Sequence, residues 1–206
     1  MSKGRFITLE GTEGAGKSSA VDALCKAIAD AGHAVIATRE PGGTGLGEAI
    51  RGVLLADHGA AMPAMSELLL MFAARAAHLQ QRIEPARAQG QWVGCDRFTD
   101  ASYAYQGAAR GLGDAAVATV ERLVQRGRQP DRVFWFDLPV SVGLSRAQAR
   151  GSGNRFDAET LAFHETVRAA YQARAQADPR RVRRIDASAA PAQVTAQLAA
   201  ALADLL

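Results

Sequence analysis

One segment limits the folds open to this chain more than any other. Gly11-Thr12-Glu13-Gly14-Ala15-Gly16-Lys17-Ser18 matches the pattern G-x-x-x-x-G-K-[ST]. The flanks matter as much as the match. Arg5–Glu10 (RFITLE) has the composition of a short buried strand. Ser18–Ala31 places Val21, Leu24, Cys25 and Ile28 on one helical face. A strand entering a glycine-rich turn and a helix leaving it aim a row of backbone amides, and the positive end of the helix, at a single anion. Glycine permits the backbone angles and the close approach this requires. Gly11, Thr12, Glu13, Gly14, Ala15, Gly16, Lys17, Ser18 and Ser19 are therefore the expected cradle for the phosphates of ATP. Lys17 is expected to neutralise the β- and γ-phosphates, and Ser18 to place its hydroxyl on Mg²⁺.

The rest of the chain repeats the strand-then-helix rhythm. Ala34–Thr38, Trp92–Cys95, Val133–Leu138 and Val182–Ile185 read as further strands. Helical patterns cover Leu46–Ala56, Ala64–Arg87, the stretch ending at Gln125, both sides of Gly151–Gly153, and the alanine-rich segment after Pro191. Alternation of this kind implies an α/β fold: a three-layer sandwich with a five-stranded parallel sheet flanked by helices. Its ligands belong at the carboxyl ends of the strands. With 206 residues, one domain spanning 1–206 is the expectation. Asp96 ends the apolar WVGC run, where a carboxylate is expected to join Ser18 in organising the metal.

Charge and cysteine usage narrow the classes further. A net charge of +3 does not call for a nucleic-acid partner, while a pI near 9.2 suits phosphorylated ligands. Cys25 and Cys95 form neither a disulfide framework nor a metal-binding spacing. His33, His58, His78 and His164 are scattered without ligand spacing and read as structural or surface residues. No apolar run reaches the roughly 20 residues of a membrane helix, and no signal peptide precedes the first strand. A cytoplasmic protein without a membrane partner is expected.

Guanine-reading GTPases carry N-K-x-D, but the only asparagine here is Asn154, followed by Arg155. Five landmarks in order instead resemble the thymidylate kinase family: Leu9–Ser19 (LEGTEGAGKSS), Thr38–Thr44 (TREPGGT), Leu70–Arg75 (LMFAAR), Asp96-Arg97-Phe98 and Ala104–Gly107 (AYQG). The resemblance runs from the phosphate loop nearly to the C-terminus. It implies transfer of the γ-phosphoryl group of ATP to dTMP with Mg²⁺, in dTTP synthesis, by a homodimer. It departs from the pattern at Ala108 and Ala109, where glycines are expected, and at Gln148, where related lids often add an arginine.

The resemblance also implies roles. Arg39, Arg51 and Arg97 would hold the dTMP phosphate, which guanidinium forks match well. Phe72 would stack on thymine and Arg75 would reach its carbonyl. Ser102 and Gln106 would line the base edge, Tyr105 would crowd the 2′ position, and Glu13 would accept from the 3′-hydroxyl. The phosphate loop holds no arginine, which in this family accompanies catalytic arginines in a lid. Here the lid would span about 146–157, with Arg146, Arg150 and Arg155 as candidates. Lys17, Arg97, Arg150 and Arg155 would then carry the transfer. Two other readings stay open on the residues alone: a kinase for another monophosphate or a deoxynucleoside, and a nucleotide-binding regulator that transfers nothing.

Overall fold

The computed structural model describes residues 3–149, 151, 153 and 155–206. Strand β1 (Phe6–Glu10) leads through α1 (Lys17–Asp30) to β2 (Val35–Arg39). Helices α2 (Gly45–Leu55), α3 (Ala64–His78) and α4 (Glu84–Ala88) precede β3 (Trp92–Asp96). Helices α5 (Thr99–Ser102) and α6 (Asp114–Gln125) separate it from β4 (Arg132–Asp137). Helices α7 (Val140–Ala149) and α8 (Leu161–Ala177) then lead to β5 (Val182–Asp186), and α9 (Pro191–Leu202) follows. The strands form one all-parallel sheet in the order β2-β3-β1-β4-β5, so the α/β sandwich read from the sequence is what the chain adopts.

The sheet explains why β1 and β4 are apolar almost throughout. Both are covered on two faces, so alternation gives way to continuous hydrophobic runs. Ile7, Leu9, Phe134 and Phe136 pack with Leu24 and Ile28 of α1 and Leu198 and Leu202 of α9. On the opposite face Val133 and Trp135 meet Phe163, Val167 and Tyr171 of α8, while Phe6, Val93 and Cys95 meet Leu79 and Ile83. Register then brings the strand ends together: Leu9 and Arg39 both pair with Asp96, and Glu10 pairs with Trp135. Glu10, Arg39 and Asp96 share one rim because of it.

One expected helix is divided. The periodicity over Ala64–Arg87 predicts a single element, but a π-helical turn at Leu79–Ile83 separates α3 from α4. Pro85 is the physical reason, since it has no amide hydrogen to donate and its ring crowds the preceding turn. A second π-helical segment, Tyr103–Ala109, continues α5 and carries Tyr105 and Gln106. Such segments re-aim side chains and recur at functional sites.

Candidate active site

The phosphate loop is locked in place by backbone. Gly14 has a φ of 72°, and a Cβ there would lie 1.9 Å from the Gly143 carbonyl oxygen. A Cβ on Gly143 would in turn lie 2.5 Å from the carbonyl oxygen of Glu13. The first turn of α7 thus rests directly on the loop. Gly143 was not singled out in the sequence; a lone glycine inside a helical run was the available signal.

Lys17 opens α1 and is buried, and its Nζ donates to the Thr12 carbonyl at 2.7 Å. Burial, reinforced by the Arg97 charge, lowers its pKa to about 8. A cation held in a desolvated cradle gains most when an anion arrives. The Ser18 hydroxyl donates to Asp96 Oδ2 at 3.0 Å, joining the loop to the end of β3.

A cleft next to the loop is lined by Glu13, Arg51, Arg75, Arg97, Ser102, Tyr105 and Gln106, together with Glu40, Met71, Phe98 and Phe156. Glu13 lies at the meeting point of loop and cleft. Arg97 Nη2 donates to its Oε1 at 2.9 Å, and the Tyr105 hydroxyl lies 2.8 Å from both carboxylate oxygens. Burial would raise the Glu13 carboxyl, but Arg97 above all, then Lys17 and Tyr105, hold it well below the usual carboxylate range. It is an ionised, acceptor-only group.

Arg97 has a φ of 71°, an uncommon backbone conformation for a residue with a side chain. Its neighbours enforce it. The Arg97 amide donates to Leu9 O at 2.9 Å, and the Phe98 amide donates to Glu10 Oε1 at 2.7 Å. Tyr171 completes the support, donating to Glu10 Oε2 at 2.9 Å and accepting from Arg97 Nη1 at 3.3 Å. Burial and the nearby Asp100 charge push the Glu10 carboxyl upward. Sequence reasoning missed Glu10 and Tyr171 as parts of the site.

Arg75 donates from Nε to Glu40 Oε2 at 2.7 Å and from Nη2 to Phe98 O and Ser102 Oγ, each at 3.1 Å. Its Nη1 is buried without a partner in the described structure. His78 braces Glu40 from the other side, with Nδ1 at 2.9 Å from Oε1.

Several expected residues engage other partners. Phe72 is 1% exposed, packs with Leu68 and Val117, and does not line the cleft. Successive helical positions differ by about 100°, so Met71 faces the cleft with Arg75 while Phe72 turns behind it. The Arg75 guanidinium lies 4.3 Å over the Phe72 ring. Arg155 engages α2 and α3 instead of the phosphate loop. Its Nη1 lies 2.7 Å from Oε2 of buried Glu67 on α3, its Nε donates to Leu54 O, and it stacks on Phe156. Glu67 also takes Gln106 Nε2 at 2.6 Å and Arg110 Nε at 3.3 Å. Arg39 turns to Glu48 at 3.0 Å, while Arg51 reaches the Pro41 carbonyl at 2.9 Å. In the expected lid, Arg146 donates to Ala187 O at 2.9 Å, and Arg150 lies outside the described residues.

Comparison with known proteins converges on the same reading. The family model for thymidylate kinase matches residues 9–198. The thymidylate kinase of Alcanivorax borkumensis is 53% identical over 196 residues, covering 95% of this chain and 94% of its own. That of Bordetella petrii is 51% identical over 200 residues, covering 97% and 95%. That of Pseudomonas putida is 56% identical over 185 residues, covering 90% and 88%. With the loop, the arginine-lined cleft and a match over nearly the whole length in agreement, the chain belongs to the thymidylate kinase family.

Proposed function

We propose that this enzyme passes the γ-phosphoryl group of ATP to dTMP, giving dTDP and ADP on the way to dTTP. The observation that carries the reading is the shared boundary of two anion sites. The amide-lined loop ending in Lys17 meets a cleft whose walls hold Arg51, Arg75 and Arg97, and Glu13 and Arg97 join across that boundary. Phosphoryl transfer needs alignment and charge neutralisation more than covalent help.

The residues divide the work by charge. Gly11–Ser19 would wrap the phosphates of ATP, with the Lys17 ammonium fixed beside them. Arg97, Arg51 and, after a side-chain turn, Arg39 would hold the acceptor phosphate in line with the donor. Arg75 Nη1, a buried donor lacking a partner, suits a base carbonyl oxygen. Ser102 and Gln106 would read the base edge, with Met71 and Phe98 as the apolar surface against it. Tyr105, tied to Glu13 and lying 4.9 Å from the Arg97 guanidinium, would close the space beside the sugar. Glu13 would accept from a sugar hydroxyl. It cannot face a phosphate, because both would be anionic.

Ser18 and Asp96 offer hard oxygen donors at one point. Among the described residues no group of three or more His, Cys, Asp or Glu side chains forms a cage. That donor set fits Mg²⁺, which keeps waters and takes most of its ligands from substrate phosphates. When bound it would offset charge on the transferring phosphates. The segment at about 146–157 is proposed as a lid within a single 1–206 domain, carrying Arg146, Arg150 and Arg155. We place the enzyme in the cytoplasm; no described helix is long and apolar enough to cross a membrane. Exposed Leu46, Val53, Met65 and Leu69 on α2 and α3 favour a homodimer, which sedimentation would test.

A coupled ADP-release assay over dTMP, dUMP, dCMP and thymidine tests the function. Turnover should be greatest with dTMP. Equal turnover on dCMP or thymidine would refute the acceptor, and ATP binding without ADP release would refute catalysis.

A further inference from the structure

His164 on α8 is fully buried, yet neither ring nitrogen has a hydrogen-bond partner in the described structure. Buried polar groups are rarely left so, and each exception calls for an explanation. Nδ1 lies 3.4 Å from Oε2 of Glu13, close but out of line for a hydrogen bond. The rest of the Glu13 carboxylate is firmly held. Arg97 and Tyr105 both engage Oε1, while Oε2 has only the shared Tyr105 hydroxyl. Oε2 is thus the oxygen with open acceptor capacity. Phe163, edge-on to the imidazole at 5.5 Å, and helix α8 behind it fix where the ring can turn.

We propose that His164 is a positioning residue for the sugar-binding carboxylate: its Nδ1–H donates to Glu13 Oε2 once an acceptor nucleotide fills the cleft, fixing the rotation at which the second lone pair of Oε2 receives a sugar hydroxyl. Active-site hydrogen bonds that are long and misaligned without ligand commonly tighten when it binds. A small ring rotation closes the 3.4 Å gap. The tautomer that does this has its proton on Nδ1, set by the carboxylate it faces. His164 touches neither the reacting phosphates nor the base. Its effect should therefore appear in recognition of the sugar alone.

The proposal rests on Glu13 being the hydroxyl acceptor, and the experiment separates the two. Steady-state constants are measured for dTMP and for its 3′-deoxy analogue with the parent enzyme and with Glu13→Gln, His164→Phe and His164→Asn. His164→Phe keeps an aromatic ring, somewhat larger, and deletes both nitrogens. His164→Asn returns an amide N–H near the Nδ1 position. His164→Phe should lower kcat/KM about tenfold for dTMP, mainly through KM, and less than about twofold for the 3′-deoxy analogue, with KM for ATP unchanged. His164→Asn should recover most of the dTMP loss. Equal losses on both nucleotides for His164→Phe, or no recovery by His164→Asn, while the loss caused by Glu13→Gln falls on dTMP and not on the 3′-deoxy analogue, would overturn the role of His164 and leave that of Glu13. If the loss caused by Glu13→Gln falls equally on both nucleotides, the hydroxyl assignment falls, and the inference with it. Thermal midpoints identify any variant whose loss comes from unfolding.

Discussion

The contact between α7 and the phosphate loop makes Gly143→Ala a demanding test. Alanine in a helix interior is favoured over glycine by about 0.5–1 kcal/mol. At this position the new methyl would lie 2.5 Å from Glu13 O, so backbone must retreat by about 0.5 Å or more. Overpacking of that kind costs about 1–3 kcal/mol. The net is a loss of roughly 0–2.5 kcal/mol, or a Tm lower by up to about 10 °C at the 2–4 °C per kcal/mol usual for chains of this size. Displacement of the loop should do more damage than the energy suggests. A shift approaching 1 Å in a positioning element costs about 10²-fold in rate. Gly52→Ala on α2 is the control, since nothing lies within 4 Å of a Cβ there. It should raise Tm by about 1–4 °C and leave kcat alone. Differential scanning fluorimetry and the ADP-release assay read both variants. If Gly143→Ala behaves like Gly52→Ala, with Tm up and kcat intact, the idea that α7 backbone holds the loop is wrong.

Other changes separate further roles. Phe72→Ala should cost about 3–5 kcal/mol of stability and weaken dTMP and ATP together, whereas Met71→Ala should raise KM for dTMP several-fold and spare ATP; the opposite pattern would return base stacking to Phe72. The Lys17 ammonium, with a pKa of about 8 in the free enzyme, is fully charged at pH 7 and increasingly neutral above 8. ATP affinity by calorimetry should therefore fall between pH 7 and pH 9, and a flat profile in that range would contradict a desolvated cation. Arg155→Ala should lower Tm by removing the shorter of the two arginine pairings of buried Glu67 and leaving that with Arg110, and raise KM for dTMP through Gln106, with a small effect on kcat. A loss of kcat beyond about 10²-fold at unchanged Tm would place Arg155 on the transferring phosphate instead.

The sequence was most legible where the chemistry is local. The glycine pattern, Lys17 and Ser18 lie within one turn, so spacing alone points to them, and β1, β3 and β4 announce themselves because burial on both faces leaves apolar runs, whereas the edge strands β2 and β5 are only partly buried. Contacts distant in sequence left no such trace. Glu67 meets Arg155 at 2.7 Å across 88 positions, and nothing near either residue specifies the other. Phe72 was misread for a geometric reason. Positions three and four apart both count as one helical face, but only Met71, four before Arg75, shares the cleft with it. The Arg75 guanidinium lies over the Phe72 ring, and Phe72 is not among the residues that line the cleft.

Glu10 shows why such a residue is hard to find and worth finding. It ends a strand whose side chains are all buried, so it reads as the point where polarity resumes and the strand stops. Burying a carboxylate is costly, and here it is offset by the Phe98 amide and the Tyr171 hydroxyl. Those same bonds hold the turn in which Arg97 takes its unusual φ, and that turn carries the guanidinium to Glu13. A less costly residue at either position would relax the turn and withdraw the guanidinium that links the cleft to Glu13 of the phosphate loop. Local rules are broken at Glu10 and Arg97 together because each deviation supports the other, and they are broken where the phosphate loop meets the cleft.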